Sequence, residues 1–374
     1  MLLLRSARIP RHCTTLFSSS LSSSSFSTAP PPPHKKLSVT NTSSPNVHLC
    51  PKENLNVVFK PGAYGGQLMA QSLTAAINTA PESHTPSSLQ CFFLGPTLIS
   101  SDVYFTTSLI RESGKSFQTF RTVAQQLAPE ENIEDLPSKP VNFESTVSFY
   151  KTLPQPDDYT AMSPHLNDSP LTSSDFQTSL SLSDVSASIK SGFIPRNLLY
   201  KMALKLTQSC TADMQLTIRL PSNPDLNTGK TAYFIGVPST MQGDSLTSLK
   251  TLIPYVSDSM TQVLSACDAL DPVWSGWPSK LTVWNYSINY HVNSSNNVSP
   301  SEAFVDDEGT RWFVIEYVFA GARNGIGNGF NHIWDLDGSL LRYEWRAAYT
   351  LECVGELDER TDGEQQHFLL PSAS

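Results

Sequence analysis

The chain has 374 residues, 39% of them hydrophobic and 10% aromatic, which is enough for a real core and rules out wholesale disorder. No apolar run approaches the roughly eighteen residues needed to cross a bilayer, so no membrane span is expected. Net charge is −9, but residues 1–52 hold six bases and no acid, leaving 19 bases against 34 acids in residues 53–374. So acidic a body argues against a nucleic-acid partner, which needs a basic surface to displace counterions.

Residues 1–30 read as an organelle transit peptide. Arg5, Arg8 and Arg11 recur beside Leu2–Leu4, acids are absent, and a Ser-rich tract follows at residues 18–25. The mitochondrion is the expected destination, with the peroxisome as the alternative, although the end Pro371-Ser372-Ala373-Ser374 is not a Ser-Lys-Leu type signal. Residues 31–49, which continue a proline run begun at Pro30, read as a disordered spacer.

A first unit is expected over residues 50–151. Gly65 to Ile77 predicts a helix, with Met69, Leu73, Ala76, Ile77 and Ala80 on one face. Strands follow at Cys91–Leu94, Val103–Ile110, Phe117–Val123 and Phe143–Tyr150, with Ser113-Gly114-Lys115 as a hairpin turn. Residues 152–190 are rich in Ser, Asp and Pro and read as a polar linker. A second unit over 191–356 repeats the plan before a tail at 357–374. Its helical pattern spans about 246–267, with Leu249, Leu252, Ile253, Val256, Met260, Val263 and Leu264 on one stripe. Pro254 lies inside that pattern and kinks or starts the helix. Strands follow at Leu281–Val292, Trp312–Ala320, Gly329–Trp334 and Leu340–Leu351, with Asp337-Gly338 as a hairpin signal. One helix and an antiparallel meander, occurring twice, suggests an α+β fold made by duplication.

Six cysteines show no CxxC or Cys/His ligand spacing, and eight histidines show no HExxH, so neither a disulfide framework nor a metal is expected. There is no Gly-x-Ser-x-Gly elbow to support an acyl-serine mechanism.

The run Ala63-Tyr64-Gly65-Gly66-Gln67-Leu68-Met69-Ala70-Gln71-Ser72-Leu73 closely resembles the first helix start of type II acyl-CoA thioesterases. Colinear matches follow at Phe92–Pro96, Arg111–Phe117, Arg121–Ala124, Tyr255-Val256-Ser257-Asp258, Asn285–His291, Ala322–Gly325 and Asp337-Gly338. The resemblance implies a tandem (double) hot-dog, each half a long helix wrapped by an antiparallel sheet. It implies an enzyme that hydrolyses fatty acyl-CoA to a free acid and CoA by activated water, with no cofactor. The alternative is a non-catalytic acyl-CoA-binding protein on the same scaffold, and a hydratase ranks last. A homo-oligomer formed by further pairing through the sheets is compatible with that plan.

The same resemblance assigns the site. Asp258 stands where the family has its catalytic Asp. Val283 falls where the family has Thr or Ser, and Arg346 where it has Gln; both depart from the pattern, since Val283 has no hydroxyl and Arg346 cannot accept a hydrogen bond. Gly65, Gly66, Gln67, Ser287 and His291 match substrate-binding positions. Asp258 lies about 180° around its helix from the apolar stripe, so it faces either solvent or a groove closed by the other half.

Overall fold

In a computed structural model, the described residues are 36–56, 62–114 and 116–151, then 174–175, 216–220, 230–238, 250–258, 280–290, 306, 308–323, 326–335 and 343–352. Strands β1 (Thr40–Asn41) and β2 (Val47–Cys50) precede helix α1 (Gly65–Thr79). Then come β3 (His84–Phe93), β4 (Val103–Ser113), β5 (Phe117–Gln125) and β6 (Phe143–Lys151). After β7 (Ser174–Asp175) and β8 (Thr217–Leu220), β9 (Lys230–Val237) leads to a second helix, α2, described over residues 250–258. It is followed by β10 (Lys280–Tyr290), β11 (Arg311–Arg323), β12 (Ile326–Asp335) and β13 (Tyr343–Glu352).

The thirteen described strands join one antiparallel sheet in the order β1-β2-β4-β5-β6-β3-β10-β13-β12-β11-β9-β8-β7. Read outward from the central β3–β10 pair, the two wings carry the same connectivity. β3, β6, β5, β4, β2 on one side correspond to β10, β13, β12, β11, β9 on the other. The join is antiparallel, with Tyr286 opposite Cys91 and Ile288 opposite Leu89. Alternation along β10 explains the join: Tyr286, Ile288 and Tyr290 are buried while Asn285 and Asn289 are exposed. Gly114 supplies the turn between β4 and β5 with a φ of +60°, which only glycine adopts cheaply.

Helix α1 lies across β4, β5, β6 and β3, and Met69, Leu73 and Ala76 share one core with Leu89, Phe105, Val147 and Phe149. That core continues into the second wing through Ile235, Leu252, Tyr286 and Phe313. Sequence periodicity predicts one apolar stripe, yet every residue from Gly66 to Ala76 is buried. The reason is a segment that the sequence analysis reads as a spacer. Residues 36–49 are ordered: Leu37 and Val39 enter the core, and β2 pairs with β4. A second, polar stripe on α1 receives this segment. Gln67 Nε2 donates to the carbonyls of Lys36 (2.8 Å) and Asn54 (2.6 Å), Gln71 Nε2 to Lys36 O (2.9 Å), and Thr74 Oγ1 to Leu37 O (3.0 Å). Residues 36–49 are therefore part of the first wing. Within the expected 152–190 linker, residues 174–175 pair with β8.

The described part of helix α2 begins at a buried lysine. Lys250 Nζ donates to Pro86 O at 2.8 Å, where β3 carries a bulge, and its ammonium end lies 5.5 Å from the Tyr290 ring centroid. Burial pulls its pKa from 10.5 down to about 7. The unfolded chain thus holds a proton that the folded chain releases between about pH 7 and 10.5. Stability should rise with pH across that window by up to about 1.4 kcal/mol per pH unit, and be flat with respect to this group below it. Chemical denaturation at several pH values should show this slope in the wild type and its loss in Lys250→Met, with the variant gaining most near neutrality.

Candidate functional site

The start of α1 lacks a cap of its own. The residue before it, Tyr64, makes no side-chain capping bond, and no acid lies in the first turn. Helix N-termini leave their first amides without intrahelical partners. Here α2 supplies the acceptor: Gly66 N–H donates to Asp258 Oδ2 at 2.6 Å. The carboxylate acts as a cap in trans, favoured by the helix dipole as well as by the hydrogen bond. Asp258 is 1% exposed. Its position opposite the apolar stripe of α2 does not put it in water, because the N-terminus of α1 covers that face.

Both glycines lie in this close approach. A Cβ on Gly66 would meet Tyr255 O at 2.7 Å and the Tyr64 ring at 2.8 Å. One on Gly65 would meet Asp258 Oδ2 and the Phe93 ring at 3.0 Å each. Phe93 stacks edge-on against Phe143, with ring centroids 5.1 Å apart, and so forms an apolar wall beside the carboxylate. Among the described residues the Gly65 amide makes no hydrogen bond.

On the sheet side, the charge of Asp258 reaches Cys91 and Tyr286, cross-strand partners in β3 and β10. Burial first, and then Asp258, push the Cys91 thiol well above its ordinary range. Tyr286 is raised by burial and then by Asp258, with the neighbouring Ser257 opposing. A thiol so protonated is no nucleophile at neutral pH. Cys91, Tyr286, Tyr64 and Tyr255 are not among the residues expected at the site from sequence. The alternation of β10 marks Tyr286 as inward-facing, but nothing in the sequence points it at Asp258.

The structure gathers Gly65, Gly66 and Asp258 into one site. Gln67 is buried beside them with its amide engaged by the backbone. Its Oε1 accepts from Asn56 N–H at 2.6 Å, so it shapes the site by holding residues 54–56 rather than by presenting its amide to a substrate. Ser287 is not brought to Asp258: it alternates with Tyr286 and so lies on the other face of β10. Arg346 pairs in register with Ser287, whereas the partner of Tyr286 is Ala347. A bulge at Trp284 puts Val283 opposite Tyr349, two positions from Ala347 and thus in the Tyr286 set. The side chains of Val283 and Arg346, and all of His291, lie outside the described residues. No group of three or more His, Cys, Asp or Glu side chains that could hold a metal occurs among the described residues.

Residues 58–149 match the family of the acyl-CoA thioesterase N-terminal domain. The resemblance to type II acyl-CoA thioesterases is borne out. The tesB protein of Mycobacterium avium subsp. paratuberculosis is similar in structure at 14% identity and a TM-score of 0.56, over 85% of this chain and 97% of that one. Acyl-CoA thioesterase II TesB2 of Mycobacterium marinum is similar at 14% identity and 0.53, over the same 85% and 97%. A hot-dog protein of unknown function from Alicyclobacillus acidocaldarius is similar at 13% and 0.54, again over 85% and 97%. At such identities these structures establish the fold, a hot-dog built on an antiparallel sheet. No curated protein is significantly similar to the chain in sequence.

The two thioesterase-type glycines should differ in their tolerance of a methyl group. Gly66→Ala forces a backbone carbonyl and a packed ring aside and should cost about 1–3 kcal/mol. Gly65→Ala meets only side-chain ends, which can shift, and should cost less. Thermal unfolding of the two variants checks the order.

Proposed function

We propose that the protein is an acyl-CoA thioesterase on a tandem hot-dog scaffold, hydrolysing fatty acyl-CoA to free acid and CoA with an activated water. The observation that carries this reading is the buried Asp258 carboxylate held on the Gly66 amide at 2.6 Å. A carboxylate fixed in a largely apolar site is suited to take a proton from water as that water attacks a thioester carbonyl. The water's oxygen bonds to the carbonyl carbon, the C–S bond breaks, and the thiolate of CoA leaves, to be protonated by solvent or by the carboxylic acid. The negative charge that develops on the carbonyl oxygen needs a donor, and with Gly66 N–H engaged by Asp258, the Gly65 amide at the helix start is the one assigned here. No cofactor is required by this chemistry.

Val283 stands where the related enzymes carry a hydroxyl, so the native rate should be modest. Arg346, in register with Ser287, belongs to the opposite strand positions from Tyr286 and is assigned no step at the carboxylate. The rival reading, acyl-CoA binding without turnover, draws on the same departures at Val283 and Arg346.

Thiol release from a panel of acyl-CoAs separates the two readings: turnover is expected, and saturable binding without thiol release would favour the binding protein. In the same assay Asp258→Asn should lose roughly 10²–10⁴-fold in kcat, the range of a general base. Val283→Thr should gain about 3–10-fold, the worth of one hydrogen bond to the water. We also assign the protein to the mitochondrion on the acid-free, Arg- and Ser-rich composition of residues 1–30. Imaging with and without those residues should show organelle signal only when they are present.

A further inference from the structure

Around the contact between Asp258 and Gly66 lies a second set of residues, joined to one another by hydrogen bonds of their own. Tyr255 lies three residues before Asp258 in α2, one turn back on the same side of the helix. Tyr255 is gripped at both ends. Its backbone carbonyl accepts from Tyr64 Oη at 2.7 Å, and its phenol oxygen accepts from Asn56 Nδ2 at 2.6 Å. The two tyrosine rings meet edge to face with centroids 5.0 Å apart. Tyr64 and Asn56 are themselves joined, Tyr64 N–H donating to Asn56 O at 2.9 Å. Asn56 is tied to α1 in turn, through its N–H on Gln67 Oε1 at 2.6 Å. All four side chains are buried. The result is a closed loop of hydrogen bonds between the residues that start α1 and one turn of α2.

We propose that Tyr64 and Asn56 are positioning residues, which clamp Tyr255 and thereby fix the Asp258 carboxylate at the Gly66 amide in the geometry needed for turnover. This rests on the reading of Asp258 as the base. Gly66 has no room for a side chain because Tyr255 O and the Tyr64 ring already stand at closest approach. Releasing the carbonyl of Tyr255 lets α2 turn or slide, and the carboxylate one turn further along moves with it. Displacements of about 1 Å at a reacting group can cost on the order of 10²-fold in rate, so even partial release is measurable.

The test uses Tyr64→Phe, which keeps the ring contact and removes only the hydroxyl, with Tyr255→Phe as a second variant that removes only the oxygen gripped by Asn56. Both are assayed on one acyl-CoA in the full chain, alone and combined with Asp258→Asn. Tyr64→Phe should lower kcat roughly 10-fold with KM nearly unchanged, and should lower it no further once Asp258→Asn is present, because both changes act on one group. Hydrogen exchange should report the same event without turnover: the Gly66 amide should exchange faster in Tyr64→Phe. Wild-type kcat in both tyrosine variants beside a slow Asp258→Asn would overturn the clamp and leave the base in place. A loss that multiplies with that of Asp258→Asn would also overturn it, marking a general loss of stability instead. Full activity in Asp258→Asn would remove the base, and the positioning role with it.

Discussion

One hydrogen bond organises the functional end of the molecule: the Gly66 amide donating to a buried Asp258 carboxylate at 2.6 Å. Each partner needs the other. A buried carboxylate is costly unless its charge is met by donors, and a helix start without a capping side chain leaves its amides unsatisfied. Placing the carboxylate of α2 on the N-terminus of α1 resolves both. The arrangement demands close backbone approach, which accounts for two successive glycines where a capping Ser or Asp would otherwise be expected. The proposed chemistry and the packing therefore meet at one point, to which both wings of the sheet contribute.

The sheet makes that meeting possible. Because β3 pairs with β10, the wings are continuous through their central strands and the first strand after each helix lies at the join. The helices that precede those strands are consequently neighbours. Lys250 at one end of the described helix bonds to the β3 backbone at Pro86, while Asp258 at the other end meets α1. Helix α2 is thus held to the first wing at both ends of its described span, and at Tyr255 between them. The segment 36–56 closes the outer side of α1 and delivers Asn56 to the clamp on Tyr255.

Much of this architecture is legible from residues alone. The apolar spacing of Met69, Leu73 and Ala76 marks α1, and the strand-like run Leu281–Val292 marks β10. Gly114 marks the β4–β5 turn. These signals are local, carried by side chains within one or two turns or a few strand positions. What stayed hidden is long-range. Asp258 and Gly66 are 192 positions apart, and Tyr64 and Tyr255 are 191 apart, so no periodicity links them. The angle of Asp258 on its own helix reports only which side it takes, not what covers that side. Residues 36–49 were misread for a related reason: their short strands are stabilised by the polar stripe of α1 and the edge of β4, neither of which a composition count includes. Ser287 matched a motif but sits on the wrong face, a distinction that strand alternation supplies only once the inward face is known.

The central claim is that the carboxylate pinned by Gly66 activates water directly on an acyl-CoA. A single turnover of acyl-CoA in H₂¹⁸O, with enzyme in excess, tests it most directly, reading isotope in both the product acid and the peptide that contains Asp258. The account predicts thiol release with ¹⁸O in the free acid and none in Asp258. Label appearing in Asp258 would mean that the carboxylate attacks the thioester itself. Acyl-CoA recovered intact would mean that the site binds without catalysing.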